Sequence, residues 1–343
     1  MLQSLISSET ESKLNEIIRH TGKAVVTAHV SPDGDAVGSC LGLTGWLRSI
    51  GIKATVVLPD RIPDFLAWLP GANYIVCHDP YKKAAEKLMA DADTLFCLDF
   101  NDARRTKGLA PLIESSKAKK VVIDHHLAPT IKSDIMISHP EMSSTCELVF
   151  RLLWQMGYFD EMTRNEAICI YCGMMTDTGG FTYNSTNPEI YYIISQLLTK
   201  GFDKDKVYRK VYNNYSKNRV KLTGYILYNK LYFYDNLHAC YYTLTADEMH
   251  RFDFHKGDAE GLVNMPLVVK GMKLSAALRE DTENGHIRIS LRSVDDFPCN
   301  RMAADFFNGG GHLNASGGEL DCTMDEAVKV MDEAVKAYSH MLK

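Results

Sequence analysis

The sequence lacks the features of a membrane-spanning or exported protein. No apolar run approaches the roughly 20 residues that a helix needs to cross a bilayer. The opening residues Met1-Leu2-Gln3-Ser4 have neither the basic start nor the apolar segment of a signal peptide, and charged residues follow them. These absences predict a cytoplasmic protein that does not bind membranes.

Excess positive charge and paired cysteines are also missing. The formal net charge is −5, which disfavours tight binding of long duplex nucleic acid by a basic surface. The nine cysteines are an odd number and mostly occupy apolar segments, which is typical of buried, reduced thiols. Cys169 and Cys172 form a C-x-x-C pattern without a second pair, so we expect neither a zinc site nor a redox centre there.

What the chain does contain is a regular alternation of strand and helix patterns. This alternation is typical of a parallel sheet with helices on both of its faces. Short apolar runs rich in β-branched residues predict strands at 24–29, 53–58, 94–98 and 119–124.

The length of 343 residues allows two domains, and the pattern changes after residue 222. The sequence predicts an α/β fold, with a parallel-sheet catalytic domain at 1–200 and a smaller α/β substrate-binding domain at 223–343. A single connecting helix is expected within 201–222, and the first strand of the second domain is expected at 225–234.

Aspartate and histidine residues follow apolar elements in four separate segments. One of these segments is the predicted strand Val121-Val122-Ile123, which leads into Asp124-His125-His126. Because ligands bind outside the carboxyl ends of the strands in an open α/β sheet, we expect the four segments to share one site. The other three segments supply His29, Asp33 and Asp35; Asp99; and Asp177.

The four carboxylates Asp33, Asp35, Asp99 and Asp177 would repel one another strongly in a single site. Two divalent cations would neutralise them, and carboxylate and imidazole ligands favour Mn or Mg over thiolate-binding metals. Two such cations about 3.5–4 Å apart bind the attacking water and the leaving oxygen of a phosphate ester. The pattern therefore predicts a two-metal phosphoesterase in which Asp99 or Asp177 bridges the metals.

These motifs together resemble those of the DHH phosphoesterase superfamily, which is named for the triplet Asp124-His125-His126. The similarity covers nearly the whole chain, because Gly309–His312 resembles the G-G-G-H motif of the DHH-associated domain. The branch that the chain resembles includes RecJ-like nanoRNases, oligoribonucleases and phosphatases of 3′-phosphoadenosine 5′-phosphate (pAp). Some relatives cleave cyclic dinucleotides.

The resemblance implies two metal sites with shared ligands. It places His29, Asp33, Asp99 and Asp177 at one metal, and Asp35, Asp99, His125 and Asp177 at the other.

Three catalytic residues are also implied. His126 would lie near the substrate phosphate and assist the leaving oxygen, and Asp124 would orient a histidine. Arg105, which fits the family spacing better than Arg104, would bind a phosphate bidentately. The alternative interpretation of the two arginines is the solvated start of a helix.

In the second domain the resemblance implies substrate contacts from Arg292, Gly310, Gly311, His312 and Ser316. Consecutive glycines let backbone amides approach an anion. Arg292 would contact the terminal phosphate or the base end of a short nucleotide, and His312 would stack on it or hydrogen-bond to it. The structural alternatives are an exposed strand arginine and a histidine that only supports the fold.

The expected activity is hydrolysis of short oligoribonucleotides, of dinucleotides such as pApA, of cyclic dinucleotides or of pAp. Two alternatives remain. One is an inorganic pyrophosphatase or exopolyphosphatase of the same superfamily, and the other is a metal-bound nucleotide sensor without turnover. The sequence is also compatible with a homodimer.

Overall fold

The computed structural model describes residues 2–255 and 257–343. The chain forms two compact units, of which the first ends at Asn214 and the second spans Tyr215–Lys343. Within the described part of the chain, every helix is too short or too polar to span a lipid bilayer.

The first unit is built on a six-stranded parallel sheet with the strand order β3-β2-β1-β4-β5-β6. The strand order reverses between β1 and β4, which makes the gap at their carboxyl ends a topological switch point. The strands are β1 Lys23–Thr27, β2 Lys53–Leu58, β3 Val76–Cys77, β4 Thr94–Leu98, β5 Lys119–Asp124 and β6 Ile135–Ser138.

Successive residues of each strand enter separate cores on the two faces of this sheet. Phe96 and Leu98 pack into the larger core, whereas Leu95 and Cys97 pack into the smaller one. Helices cover both faces, as the predicted α/β fold requires. They are α1 Ser8–Arg19, α2 Gly34–Ser49, α3 Lys82–Ala90, α4 Ala110–Ser115, α5 Thr145–Gln155, α6 Arg164–Asp177, α7 Pro188–Leu198 and α8 Lys204–Tyr212.

Helices α2 and α6 pack against each other unusually closely because α2 carries glycines on the contact face. A Cβ atom on Gly38 would lie 2.5 Å from the Cys169 carbonyl oxygen, and one on Gly42 would lie 2.7 Å from the Ile170 side chain. This close packing brings the start of α2 near the end of α6. The two helix ends carry Asp35 and Asp177.

The second unit contains a mixed six-stranded sheet with the order β11-β12-β10-β9-β8-β7. Neighbouring strands are antiparallel except for β8 and β9. The strands are β7 Leu231–Phe233, β8 Ala239–Leu244, β9 Leu274–Asp281, β10 His286–Ser293, β11 Gly310–His312 and β12 Ala315–Leu320. The helices are α9 Lys217–Tyr225, α10 Ala246–Arg251, α11 Cys299–Phe306 and α12 Met324–Ala337.

Two expectations about the connection between the units are wrong. The predicted single helix is two helices, because Ser216 caps α9 by accepting a hydrogen bond from Arg219 N. The predicted strand at 225–234 is helical up to Lys230 and extended only over β7. Leu222 and Ile226 explain this difference, since both are buried in one core at helical spacing.

Candidate metal centre

The candidate site lies where the strand order of the first unit reverses. His29 follows β1, Asp99 follows β4, and His125 follows β5. Asp35 stands in the first turn of α2, and Asp177 is the last residue of α6. The strand-end rule of open α/β sheets thus accounts for the convergence of these segments.

The first group of ligand-type atoms is formed by His29, Asp33 and Asp99, whose donor atoms all lie within 4.8 Å of one another. The His29 Nε2 atom is 3.4 Å from Asp99 Oδ2 and 3.9 Å from Asp33 Oδ2. The other ring nitrogen, Nδ1, is 2.8 Å from the Val30 carbonyl oxygen. This contact orients the ring so that Nε2 faces the carboxylates.

Asp33 also caps helix α2, since its Oδ1 accepts hydrogen bonds from Asp35 N and Ala36 N, both at 3.0 Å. One carboxylate oxygen therefore fixes the helix start, while the other faces His29. Asp33 therefore serves both the local fold, as a helix cap, and the site.

The second group is formed by Asp35, His125 and Asp177. The His125 Nε2 atom lies 3.5 Å from Asp177 Oδ2 and 3.9 Å from Asp35 Oδ2. Asp35 is buried, and its two oxygens accept hydrogen bonds from Thr145 N at 2.6 Å and Cys146 N at 2.8 Å.

Asp99 belongs to the first group and also faces the second, and its ligand-type atoms cluster as well with those of His125 and His126. Its Oδ2 faces His29 of the first group, and its Oδ1 is 3.6 Å from His125 Nε2 of the second. The backbone of Asp99 has a φ of +63°, which few residues other than glycine adopt, although aspartate tolerates it better than most. The side chain is 3% exposed, so the fold holds a buried carboxylate on a strained backbone at this point.

The cluster brings more carboxyl groups than histidines together, and this imbalance shifts their pKa values. Burial and the charge of Asp99 raise the pKa of Asp35 to about 7, and burial with the neighbouring carboxylates raises the pKa of Asp177 well above its usual range. Burial lowers the pKa of His29, but contact with Asp99 and the charges of Asp33 and Asp99 outweigh it and raise that pKa to about 9.

Asp99 itself shows the opposite shift. Burial opposes ionisation of its carboxyl group, but His29, His125 and His126 hold its pKa well below its usual range. Asp99, Asp35 and the other charges raise the pKa of His125 despite its burial. A carboxylate-rich pocket that retains protons on its histidines suits divalent cations, which would replace those protons. The donor set therefore fits the two metals that the sequence predicts.

The three residues of the DHH triplet have different surroundings. Asp124 is fully buried, and its Oδ1 is 2.7 Å from His126 Nδ1. The same His126 atom lies 3.7 Å from Asp99 Oδ1. Because Asp124 already engages this nitrogen, the histidine that Asp124 orients is His126, whereas His125 faces the second group.

Arg104 and Arg105 line an open hollow of about 530 Å³, together with Asn101, Asp102, Ala128 and Thr130. Asp102 binds the Arg104 guanidinium at 2.9 Å and 2.6 Å, and Arg104 holds the pKa of Asp102 well below its usual range. The Arg105 carbonyl oxygen accepts a hydrogen bond of 2.8 Å from Val30 N. The backbone of Arg105 is therefore fixed against Val30, the neighbour of His29, while the charge of Arg104 is paired within its own loop.

In the second unit the glycine-rich segment forms the hairpin of β11 and β12. A Cβ atom on Gly309 would collide with the Gly317 carbonyl oxygen, and one on Gly311 would lie 2.6 Å from the Ala315 carbonyl oxygen. Strand pairing thus requires these two glycines. A Cβ atom added to Gly310 would meet no heavy atom of the described residues within 4 Å.

The remaining residues proposed for this unit divide between surface and interior. His312 is exposed, and Arg292 is half-buried with its Nη1 donating to the Leu291 carbonyl oxygen at 2.9 Å. Ser316 is buried, and its hydroxyl donates to the Cys299 carbonyl oxygen at 2.7 Å. The Ser316 hydroxyl therefore supports the hairpin, and we leave it out of the proposed substrate site.

Comparison with known proteins assigns both units. Residues 23–174 match the DHH family, N-terminal domain, and residues 236–337 match the DHHA1 domain. The chain belongs to the DHH family of phosphoesterases. The first matched segment contains Asp124-His125-His126, and the second contains Gly310–His312, whereas Asp177 lies three residues beyond the end of the first.

Individual relatives extend over almost the full length of this DHH-family chain. An exopolyphosphatase-related protein from Bacteroides fragilis is 51% identical, with a TM-score of 0.96 and 99% of each chain covered. The bifunctional oligoribonuclease and PAP phosphatase NrnA of Thermus thermophilus is 28% identical over 86% of this chain and 83% of its own length. RecJ of the same organism, at 14% identity and a TM-score of 0.54, shares the fold over the whole chain and 55% of RecJ.

Sequence reasoning missed the support of the DHH site by helix α5. The segment Ser144–Glu147 has the pattern of a helix cap, and Ser144 does accept a hydrogen bond from Glu147 N. The carboxylate of Glu147, however, turns into the protein and binds Arg151 at 2.7 Å. A glutamate four residues before an arginine, within an otherwise apolar helical segment, was the available sequence signal for an ion pair.

Proposed function

We propose that the protein is a Mn-dependent phosphodiesterase that hydrolyses short oligoribonucleotides and dinucleotides of the pApA type, and that it also acts on pAp. The observation that carries this proposal is the position of Asp99 between two groups of metal-ligand atoms. Two adjacent cation sites sharing a carboxylate are the arrangement used for in-line cleavage of phosphate esters.

In this proposal His29, Asp33 and Asp99 hold one cation, and Asp35, Asp99 and His125 hold the other. Asp177 belongs to the second group, and we propose it as a ligand there and as the second carboxylate that would be shared by the two cations. When bound, the cations supply an activated water and positive charge for the phosphate. We propose Mn because the ligands are carboxylates and imidazoles without a thiolate.

The remaining residues of the DHH domain position the substrate and move a proton. The carboxylate of Asp124 holds His126 through Nδ1, which fixes the ring for proton donation to the leaving oxygen. Arg105, in the hollow near His29, binds a phosphate oxygen pair with its planar guanidinium.

In the DHHA1 domain we propose that Arg292 and His312 bind a short nucleotide, with the backbone at Gly310 and Gly311. The names of the relatives support nucleotide substrates, since NrnA of Thermus thermophilus is named as an oligoribonuclease and PAP phosphatase. The exopolyphosphatase-related name of the Bacteroides fragilis protein makes polyphosphate a second substrate to test.

The test is a side-by-side assay of pApA, pAp, pyrophosphate and polyphosphate with Mn²⁺, Mg²⁺ or a chelator. Hydrolysis of pApA and pAp that stops with the chelator and in the variant Asp99→Asn is the expected result. Asp91→Asn, an exposed carboxylate of the same unit, is the matched control and should retain full activity.

If the protein hydrolysed only pyrophosphate or polyphosphate, the proposed nucleotide substrates would be wrong. Tight nucleotide binding without turnover of any substrate would support a sensor.

A further inference from the structure

Thr145 contacts one carboxylate from each group of the metal centre. It is fully buried at the first position of α5. Its backbone N donates to Asp35 Oδ2 at 2.6 Å, and its hydroxyl donates to Asp99 Oδ1 at 3.0 Å. The next residue, Cys146, donates its backbone N to the other oxygen of Asp35 at 2.8 Å.

These contacts fix the planes of two carboxylates. Asp35 is held through both oxygens by successive amides of one helix turn, so its carboxylate cannot rotate without breaking a hydrogen bond. The Thr145 hydroxyl occupies one acceptor direction of Asp99 Oδ1, and the rest of that oxygen faces His125 at 3.6 Å. A carboxylate oriented in this way presents its remaining lone pairs in a defined direction.

A second, independent feature holds Thr145 in place. The Glu147 carboxylate accepts hydrogen bonds from Ser143 N at 2.9 Å and Ser143 Oγ at 2.6 Å, and its other oxygen binds Arg151. Both charged side chains are nearly inaccessible to solvent, with 0% and 1% exposure. The fold therefore places a buried ion pair on the short segment that contains Thr145, which a simple helix cap does not require.

We propose that Thr145 is a positioning residue that orients Asp35 and Asp99 for cation binding. This inference rests on the proposed function, because it assigns the support of the same metal centre. Thr145 acts through the two carboxylates. A substitution can remove its hydroxyl, which donates to Asp99, and leave its backbone N, which donates to Asp35.

The experiment compares Thr145→Val, Thr145→Ser and Thr44→Val with the wild type. Valine has the shape of threonine but lacks the hydroxyl that donates to Asp99 Oδ1, whereas serine keeps a hydroxyl. Thr44 is the matched control because it is similarly buried and its hydroxyl has no hydrogen-bond partner within the described residues. Mn²⁺ binding is measured by titration calorimetry and by electron paramagnetic resonance of the bound ion, alongside kcat, KM and the unfolding midpoint.

We expect T145V to weaken Mn²⁺ binding by about tenfold to a hundredfold, the usual effect of removing a partner of a metal ligand. T145S should stay within about threefold of the wild type, and T44V should not change the affinity. The resonance spectrum of T145V should change, since a reoriented Asp99 alters the ligand geometry. Should T145V fail to fold, Thr145→Ala replaces it, because the smaller side chain fits the same space.

Unchanged Mn²⁺ affinity and spectrum in T145V would overturn the inference. An equal loss in T145S and T145V would also overturn it, because it would show that the methyl group and packing matter instead of the hydroxyl. Absence of Mn²⁺ binding in the wild type would overturn it as well. If T145V loses affinity as expected but the wild type hydrolyses none of the tested phosphates, the positioning inference stands and the proposed function fails.

Discussion

The buried pair of Glu147 and Arg151 allows a quantitative prediction about stability. Four hydrogen bonds converge on the Glu147 carboxylate, two from Ser143 and two from Arg151. The variant Glu147→Gln preserves the shape but replaces one oxygen with an amide that can only donate. If the amide nitrogen faces Arg151, both bonds from Arg151 are lost. If it faces Ser143, the bond from Ser143 N is lost, and the Ser143 hydroxyl must turn to accept a bond from the amide.

The size of the effect follows from the charge left behind. Removing one partner of a buried ion pair costs about 3–5 kcal/mol. Arg151 keeps Glu189, whose Oε2 is 2.6 Å from Nη1, so we expect E147Q to cost about 3 kcal/mol, at the lower end of that range. Arg151→Met should cost a similar amount, since it leaves the carboxylate without its cation. The double variant should lose about 3 kcal/mol and not about 6, because neither of the two fully buried charges then remains. The Glu189 carboxylate, which also loses Arg151, is partly exposed to solvent.

Urea unfolding followed by tryptophan fluorescence measures this directly. The three tryptophans, at positions 46, 68 and 154, all lie in the first unit, so the signal reports the unit that contains the ion pair. Asp91→Asn is the surface control and should leave the midpoint unchanged. A loss below about 1 kcal/mol in both single variants, or an additive double variant, would refute the idea that the pair holds α5.

Three further predictions concern the site. Asp124→Asn should lower kcat by about tenfold to a hundredfold without changing the Mn²⁺ stoichiometry, because Asp124 holds His126 and belongs to neither ligand group. Steady-state assays measure kcat and calorimetry measures the stoichiometry, and the loss of a bound cation would contradict this prediction. Mn²⁺ binding at pH 7 should release protons, because the pKa values of His29 (about 9) and Asp35 (about 7) leave both groups partly or fully protonated without metal. The Mn²⁺ affinity should therefore rise with pH towards 9, and calorimetry in buffers of different ionisation enthalpy should show the proton release. A pH-independent affinity would exclude this release. Arg292→Ala should raise the KM for pApA about tenfold, because one charge-assisted contact is lost, and kcat should change little. Arg301→Ala, at an exposed arginine of the same unit, is the control. An unchanged KM would show that Arg292 does not belong to the substrate site.

The first sheet and the clustering of the candidate metal ligands could be predicted because their signals are local. Buried parallel strands are apolar runs, and the residue that follows each run must lie at the carboxyl edge of the sheet. His29, Asp99 and His125 follow this rule, and the structure brings them together with the remaining carboxylates. Coulomb repulsion among the carboxylates then predicts cations without knowledge of the coordinates.

Elements that depend on tertiary contacts are the ones that sequence reasoning misses or misplaces. The four-residue edge strand β6 is too short to produce a pattern, and the hairpin of β11 and β12 is hidden because its glycines have low strand propensity. The glycine pattern there suggests a ligand loop, whereas Gly309 and Gly311 are required by close strand pairing. The helical residues 225–230 resemble a strand because tyrosine and isoleucine favour strands when packing is ignored.

The geometry of α5 links the stability of the first unit to the chemistry of its site. The carboxylates of Asp35 and Asp99, one from each ligand group, come from a helix start and a strand end, yet their fixed orientation comes from donors on a third element. That element is held by an ion pair placed inside the protein, where breaking it is costly. Loosening the pair should therefore weaken Mn²⁺ binding even though neither charge belongs to a ligand group. A core substitution of equal stability cost elsewhere, such as Leu95→Ala on the opposite face of the sheet, should weaken it less, because that substitution leaves Thr145 and its two carboxylates in place.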